Sequence, residues 1–440
     1  MASQSQTLSR PVGFDPAAVS GRTAVPLRVG FSWSFVGWVG YAACQWLMLS
    51  VMAKLGNSVV VGQFAFALAI CAPVFMLTNL QLRGVQSTDA LCEYRFSDYM
   101  TLRFLGSTAA VLLIAVSCLF LRLPRIAICA VLLVAVFKSL ESFGDVIAGL
   151  MQKFEMLDSV AIALLLRGGV GIGLFGLCFA VWRNLALALL VWICSTAAVI
   201  AIYDFRVARR LARFEGGTAI HFNWTTLRTL AITSLPLGLV SAVTSFNTNI
   251  PRYAIQHVLS VADLGIFASI AYPVTGATII SNSLGQSALA RLSRLFAERR
   301  IKEFERLVLK LVAFGAGLGL LAIILALACG NSLLAILYTP EYARQGNLFA
   351  LLALTAGLNC TGCFLTYALT AARKFTIQLP ISIMCMLTTA FASALLVPRY
   401  HLVGAALALL CSAFFLITAT SIMLRRAIAQ TSGERPERVA

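Results

Sequence analysis

The sequence predicts an all-α polytopic membrane protein, with twelve transmembrane helices in two six-helix bundles around a central cavity. Three observations carry that prediction. Long apolar runs recur about a dozen times, and 60% of the 440 residues are hydrophobic while 12% are charged, against about 25% charged in soluble domains. Threaded alternately through a bilayer, the runs leave Lys and Arg overwhelmingly on one side. A weak repeat relates the two halves at a fixed offset.

A spanning helix needs about 20 mostly apolar residues. That places the spans at 29–51, 59–82, 102–121, 126–149, 157–180, 184–204, 228–250, 264–289, 308–328, 347–371, 376–397 and 402–424. Before them, Pro11, Gly13, Pro16 and Pro26 interrupt a polar stretch with no short apolar core. Residues 1–27 therefore read as a disordered cytosolic tail rather than a cleavable leader. The first lobe covers 28–205, a basic cytosolic linker 206–227, the second lobe 228–424 and a further cytosolic tail 425–440.

Twelve spans put both termini on one side. Of the 34 Lys and Arg, 25 then fall on that side, including Arg206, Arg209, Arg210, Arg213 and Arg228 around the linker. Seven fall opposite, namely Lys54, Arg122, Arg125, Arg183, Arg252, Arg344 and Arg399. The excess marks the terminal side as cytosolic. It also assigns the net charge of +17 to loops facing anionic headgroups, so no nucleic-acid partner is expected. No loop is long enough to fold by itself, since domains begin at about 50 residues.

The repeat has an offset of 203: Gly62-Gln63-Phe64-Ala65 matches Gly265-Ile266-Phe267-Ala268, and Thr78-Asn79 matches Ser281-Asn282. Six helices per half give both copies the same orientation, a parallel repeat about an axis along the membrane normal.

Ionisable groups inside a span cost roughly 2.5–3.5 kcal/mol each on insertion, so those present need an explanation. Lys138, Glu141 and Asp145 share one face of the fourth span, and Arg167 lies within the fifth. A structural reading pairs Lys138 with Glu141 and Arg167 with Asp145. A functional reading has the cluster line the cavity, with Lys138 and Arg167 binding a polar headgroup and Glu141 or Asp145 carrying a coupling ion. Arg83, at the end of the second span, reads either as a positive-inside anchor or as a guanidinium that grips phosphate bidentately. Arg252, after Pro251, reads either as an interfacial snorkel or as the opposite partner of Arg83. Asn79 and Asn282, the polar residues of the repeat, complete the candidate substrate lining. Gly168, Gly169, Gly171 and Gly173 have no Lys-Ser/Thr follower and read as helix packing positions. The stretch from Arg291 to Lys310 reads as an amphipathic linker lying on the interface.

Most of the twelve cysteines sit in apolar runs, so no disulfide framework is expected. Cys360 and Cys363 lack a second ligand pair, and His221, His257 and His401 are far apart. No metal, cofactor or enzymatic activity is expected.

Four segments carry a family resemblance. They are Met52-Ala53-Lys54-Leu55-Gly56 through Gly62-Gln63-Phe64-Ala65, Ala72-Pro73-Val74-Phe75 and Leu82-Arg83 to Thr88-Asp89; Ile250-Pro251-Arg252-Tyr253 through Leu264-Gly265-Ile266-Phe267 to Arg291-Leu292; Ile336-Leu337-Tyr338 with Pro340-Glu341-Tyr342 to Arg373-Lys374-Phe375; and Pro398-Arg399-Tyr400 with Gly404-Ala405-Ala406. These resemble the polysaccharide flippases, the Wzx-type exporters of O-antigen, capsule and exopolysaccharide precursors, in the superfamily that also holds the MATE drug exporters. The resemblance implies a MATE-like two-lobe fold in the bacterial inner membrane. It implies alternating-access transfer of polyprenyl-diphosphate-linked oligosaccharide to the periplasmic leaflet, with membrane lipids, a polysaccharide polymerase and a chain-length regulator as partners. The alternative is a MATE-like cation-coupled efflux pump for small molecules, although the first helix lacks an obvious acidic cation site. Reporter fusions test the topology. A reporter active only in the periplasm should be silent at both ends of the chain and active when inserted after Lys54.

Overall fold

The computed structural model describes residues 27–89, 93–120, 123–213, 222–372, 374 and 377–433. The expected N-terminal tail up to residue 26, Arg122, residues 214–221 of the expected linker, Arg373 and residues 434–440 lie outside them. The helices are α1 Leu27–Leu55, α2 Ser58–Thr78, α3 Leu82–Thr88, α4 Phe96–Phe120, α5 Arg125–Lys153, α6 Leu157–Trp182 and α7 Leu185–Val199. A π-turn, Ile200–Asp204, leads into α8 Phe205–Ala212. Then come α9 Trp224–Val258, α10 Val261–Ala297, α11 Ile301–Leu337, α12 Pro340–Ala343, α13 Gly346–Ala371 and α14 Gln378–Gly433.

Eleven of these described segments are long and apolar enough to cross a membrane, and the last of them crosses twice. His401 has φ 54° and ψ −129°, which no helix accommodates. Ser412 Oγ reaches the Cys385 carbonyl at 3.2 Å, whereas a straight helix would hold residues so far apart in sequence about 40 Å from each other. The chain therefore folds back at His401, with Gly404 against the Leu396 carbonyl. The result is twelve crossings, with Leu27 and Gly433 on one face, here termed the basic face. The opposite face is termed the sparse face.

Helix starts follow side-chain chemistry. Asn57, Asn184, Asn223 and Ser260 each accept a backbone N–H of the first turn of α2, α7, α9 and α10. Within the membrane the helices satisfy their own backbone groups. Residues such as Leu112, Leu119 and Phe120 of α4 and Leu320 and Ile324 of α11 are exposed as lipid-facing surface.

In the first half, α1 packs on α6, α2 and α4 on α5, and α6 on α7. In the second, α11 and α10 pack on α13, and α9 and α13 on α14. The two bundles meet where α2 crosses α9 and α10. Gly62 and Gly265, equivalent positions of the repeat, form that crossing. A methyl group on Gly62 would meet the Val261 carbonyl, and one on Gly265 would meet the Ser58 carbonyl and the Gly62 amide nitrogen. Small residues at such a crossing let backbones approach where lipid supplies no hydrophobic drive.

The cores show where the bundles join. One apolar core toward the sparse face runs through both bundles, from Met52, Val61 and Phe64 to Ile266, Phe267, Ile270 and Leu334. Toward the basic face the cores separate. Val146, Leu150, Phe154 and Leu164 anchor one, and Leu292, Phe304, Phe364 and Leu369 the other. On α10, Thr275, Asn282, Gln286 and Ser287 are exposed in this basic half. Exposed polar groups at membrane depth face protein or water rather than lipid, so this face of α10 borders a polar cleft opening toward the basic face.

Four expectations change. The second span ends at Thr78; Leu80 and Gln81 take left-handed backbone and α3 starts afresh at Leu82. The sixth crossing continues through the π-turn as helix to Ala212, because Ala208, Leu211 and Ala212 bury against the first bundle. The stretch from Arg291 to Lys310 is not a linker lying on lipid. It is the end of α10, the short turn at 298–300 and the start of α11, and Leu292 and Phe304 are fully buried in the second bundle. Likewise α14 remains helical to Gly433, through residues expected in the C-terminal tail.

Gly265→Ala should destabilise the detergent-solubilised protein by about 1–3 kcal/mol through overpacking at the crossing. Gly276→Ala, which meets nothing within 4 Å, should not. Thermal melts of the two variants check this.

Candidate functional site

A cavity of about 100 Å³ lies between the bundles, lined by Gln45, Lys138, Trp192, Arg252 and Tyr272 with apolar neighbours that include Phe64 and Phe137. Gln45, Arg252 and Tyr272 stand six to eleven residues from the sparse-face ends of their helices and Lys138 thirteen, a depth of roughly 10–20 Å. The site is thus held by helices of two bundles and lies near mid-membrane.

Arg252 Nη1 donates to Asn249 Oδ1 at 3.1 Å, and among the described residues no carboxylate pairs with the guanidinium. It lines the cavity rather than snorkelling to the interface. On the other wall, Glu141 accepts from Lys138 Nζ at 2.6 Å, from Gln45 Nε2 at 3.4 Å and from the Tyr41 hydroxyl. Tyr272 Oη in turn donates to Gln45 Oε1 at 3.0 Å. A continuous hydrogen-bond path therefore runs from α10 through α1 to Glu141 on α5. The expected Lys138–Glu141 pair is present.

Further bonds hold the bundles together on the sparse side. Trp46 Nε1 donates to Tyr338 Oη at 2.8 Å and Tyr253 Oη donates to the Ala69 carbonyl, while Tyr338 is itself fixed within the second bundle by donating to the Ser269 carbonyl at 2.8 Å. Toward the basic face, Gln81 Nε2 donates to Ser241 Oγ at 2.8 Å.

The pairing of Arg167 with Asp145 is corrected. Arg167 Nη2 lies 2.5 Å from Asp204 Oδ2, with both side chains buried. The π-turn inserts an extra residue per turn just where Asp204 must face α6, and Gly144 leaves room for the guanidinium. Arg167 is thus placed inside the first bundle, away from the cavity. Asp145 holds two other arginines: Arg83 Nη1 at 3.3 Å from Oδ1 and Arg103 Nη2 at 3.5 Å from Oδ2. Arg83 Nε also donates to Gln152 Oε1 at 3.2 Å, and its guanidinium lies 5.0 Å from the centre of the Trp38 ring. Neither the basic-face anchor nor a free clamp describes it; it is internally paired at the break after α2.

Asn79 ends α2 with its Oδ1 buried and without a partner. Asn282 on α10 donates to the Thr278 carbonyl at 2.9 Å and accepts from Cys363 Sγ at 3.3 Å. The candidate residues therefore fall into separate groups. Lys138 and Arg252 share the cavity, with Glu141 behind it; Arg83 and Asp145 sit on α3 and α5 toward the basic face; Arg167 is internal; and Asn79 and Asn282 lie at the basic-side ends of their repeats. Gly168 and Gly171 pack tightly on Cys44 and Trp192, while Gly169 and Gly173 face open space.

Sequence reasoning missed Tyr41, Gln45, Arg103, Asp204 and Tyr272. Arg103 and Asp204 each sit at the edge of an apolar run, where they look like topological charges. The tyrosines and Gln45 are uncharged and carry no signal at all.

Breaking a buried pair costs about 3–5 kcal/mol, whereas replacing both partners by apolar groups is close to neutral. Arg167→Leu and Asp204→Leu should each reduce folded protein, and the double variant should recover it. Size-exclusion yield and melting temperature read the cycle.

No protein-family model matches the chain. The capsular polysaccharide biosynthesis protein CapF of Staphylococcus aureus is 30% identical over 386 residues, covering 87% of this chain and 96% of that protein. Among solved structures, a mutant form of the Vibrio cholerae MATE transporter VcmN aligns over 94% of this chain and 98% of its own, with a TM-score of 0.65 at 12% identity. A MOP superfamily transporter from Pyrococcus furiosus, described as having a binding pocket of reverse polarity, aligns over 96% and 97% with a TM-score of 0.62 at 12% identity. Those identities show that the chain has the MATE transporter fold, and kinship to CapF along nearly the whole length goes further: the chain belongs to the same capsular polysaccharide biosynthesis family as CapF.

Proposed function

We propose that this protein carries polyprenyl-diphosphate-linked oligosaccharide repeat units from the cytosolic to the periplasmic leaflet of a bacterial inner membrane, by alternating access, for surface polysaccharide synthesis. The observation that carries this reading is the pair of cations in the largely apolar cavity at the bundle interface. Its lining holds Lys138 and Arg252 and no acidic residue. A sugar-diphosphate head has hydroxyls and anionic oxygens that cost several kcal/mol each in hydrocarbon without partners. Gln45, Tyr272 and the two cations offer such partners, and the prenyl tail would remain in lipid. The same lining disfavours an efflux pump for cations.

The cavity of about 100 Å³ is below the roughly 300–1,000 Å³ of a drug-sized pocket. Passage of an oligosaccharide therefore requires the bundles to part on the sparse side, where the shared core and the Trp46–Tyr338 and Gln45–Tyr272 bonds hold them. The cleft toward the basic face is the entry side in this scheme, with the basic face cytosolic. Glu141, joined through Gln45 to Tyr272, is the group through which a counter-moving cation would reach the interface; Asp145 is its partner in that role. Arg83 would meet the diphosphate at the entry, with Asn79 and Asn282 beside the path. An outward-moving anion also gains roughly 2.3 kcal/mol per charge per 100 mV of inside-negative potential.

Arg252→Ala should abolish polymer export and accumulate lipid-linked sugar at unchanged protein level. Unaltered polymer would reject the cavity as the transport site. In proteoliposomes, collapsing the membrane potential should slow flipping severalfold.

A further inference from the structure

Away from the inter-bundle cavity, a cluster of buried polar side chains gathers where the break after α2 meets α3, α4 and α5. Three contacts define the junction. Gly106 of α4 presses on the Thr78 carbonyl at the end of α2. Gly149 of α5 lies beneath α3, such that a methyl group there would meet Gln86 Oε1 at 2.5 Å and Arg83 Cα at 3.3 Å. Asp145 ties α5 to Arg83 of α3 and Arg103 of α4.

The junction is rich in unpartnered polar atoms, most of them donors. Arg103 is 0% exposed, and its Nε, Nη1 and Nη2 have no hydrogen-bond partner among the described residues; its contact with Asp145, at 3.5 Å, is an ion pair only. Gln86 is 1% exposed with both ends of its amide unpartnered. Asn79 Oδ1 and Ser107 Oγ, the latter one turn along from Arg103, are buried and unpartnered too. Charge is unbalanced as well: Asp145 is one carboxylate for two guanidiniums, and arginine does not deprotonate in proteins. Water could satisfy the donors but would leave the positive charge unanswered in a low-dielectric junction, where an uncompensated ion is costly. Side chains that are buried and unsatisfied to this extent call for an ion. Asp145 is 35% exposed, so the cluster reaches the surface.

We propose that this junction is a binding site for a phosphate-type oxyanion, held by Arg103, Arg83 and the Gln86 amide. The guanidinium fork matches a phosphate bidentately, and α3 lies at the basic-face end of the bundle, where phosphates are at hand. Arg103 keeps Asp145 paired while Arg83 turns to the anion. The phosphate is that of a lipid headgroup, of the cargo's diphosphate or of the free ion; only the cargo source rests on the transport reading.

The test uses full-length protein purified in detergent, as wild type, Arg103→Met and Gln86→Met. One arm titrates inorganic pyrophosphate and inorganic phosphate while following the melting temperature. The other measures retention of phosphatidylglycerol through delipidation by native mass spectrometry. Wild type should bind in at least one arm, and each variant should weaken that binding about tenfold or more. Ligand-free Arg103→Met should melt no lower than wild type, because Arg83 still pairs with Asp145 and one guanidinium then meets one carboxylate. Response in the first arm assigns a free or cargo phosphate; retention in the second assigns a headgroup. Silence in both arms, or binding unchanged in the variants, overturns the site. A lower ligand-free melting temperature for Arg103→Met also overturns it, by making Arg103 a structural counter-ion. If Arg103→Met does not accumulate, Gln86→Met decides. Export by Arg252→Ala, measured in parallel, reads the transport proposal separately.

Discussion

Gly62 and Gly265 hold the molecule together at one point: two backbones that touch because neither carries a side chain. In lipid, apolar side chains gain little by packing on one another rather than on acyl tails. Close backbone approach is what gives the interface its dispersion contacts. From that crossing a single core spreads through both bundles toward the sparse face, while toward the basic face two separate cores form, with Leu230 of α9 still packed into that of the first bundle. Closure on one side and opening on the other follow from where the crossing sits along α2 and α10.

The same solvent governs the charges. Arg167 and Asp204 neutralise each other in the interior of the first bundle. Lys138 and Glu141 do so at its edge, with Tyr41 and Gln45 completing the carboxylate's partners. Two arginines escape this pattern. Arg252 faces the inter-bundle cavity without a carboxylate, and Arg103 shares Asp145 with Arg83. An incompletely answered cation in lipid is costly, and that cost is why the two proposed sites rest on these two residues.

Much of the fold was legible in the chain. Apolar run length located the crossings within a few residues, down to the hairpin at His401 that separates 376–397 from 402–424. The glycine match across 203 positions pointed at two residues that meet in space. The candidate site was legible only in part. Lys138 and Arg252 were singled out as ionisable groups within or beside spans, and they do share a cavity. Tyr41, Gln45 and Tyr272 were invisible, since a neutral polar residue in a span costs little enough to pass unnoticed. Arg103 and Asp204 stand at the edges of apolar runs, and a residue's distance from a helix end does not tell which way it faces.

Crossing number, the charge asymmetry between faces and the equivalence of the halves were thus determined by the sequence itself, because insertion responds to hydropathy and charge counted along the chain. Which charge meets which was decided only in three dimensions. Arg167 chose Asp204 over Asp145 because a π-turn rotated Asp204 toward α6, and Arg83 was drawn inward because α2 breaks at Leu80 and Gln81. Pairing depends on helix rotation and crossing angle, and those are set by packing between segments distant in sequence.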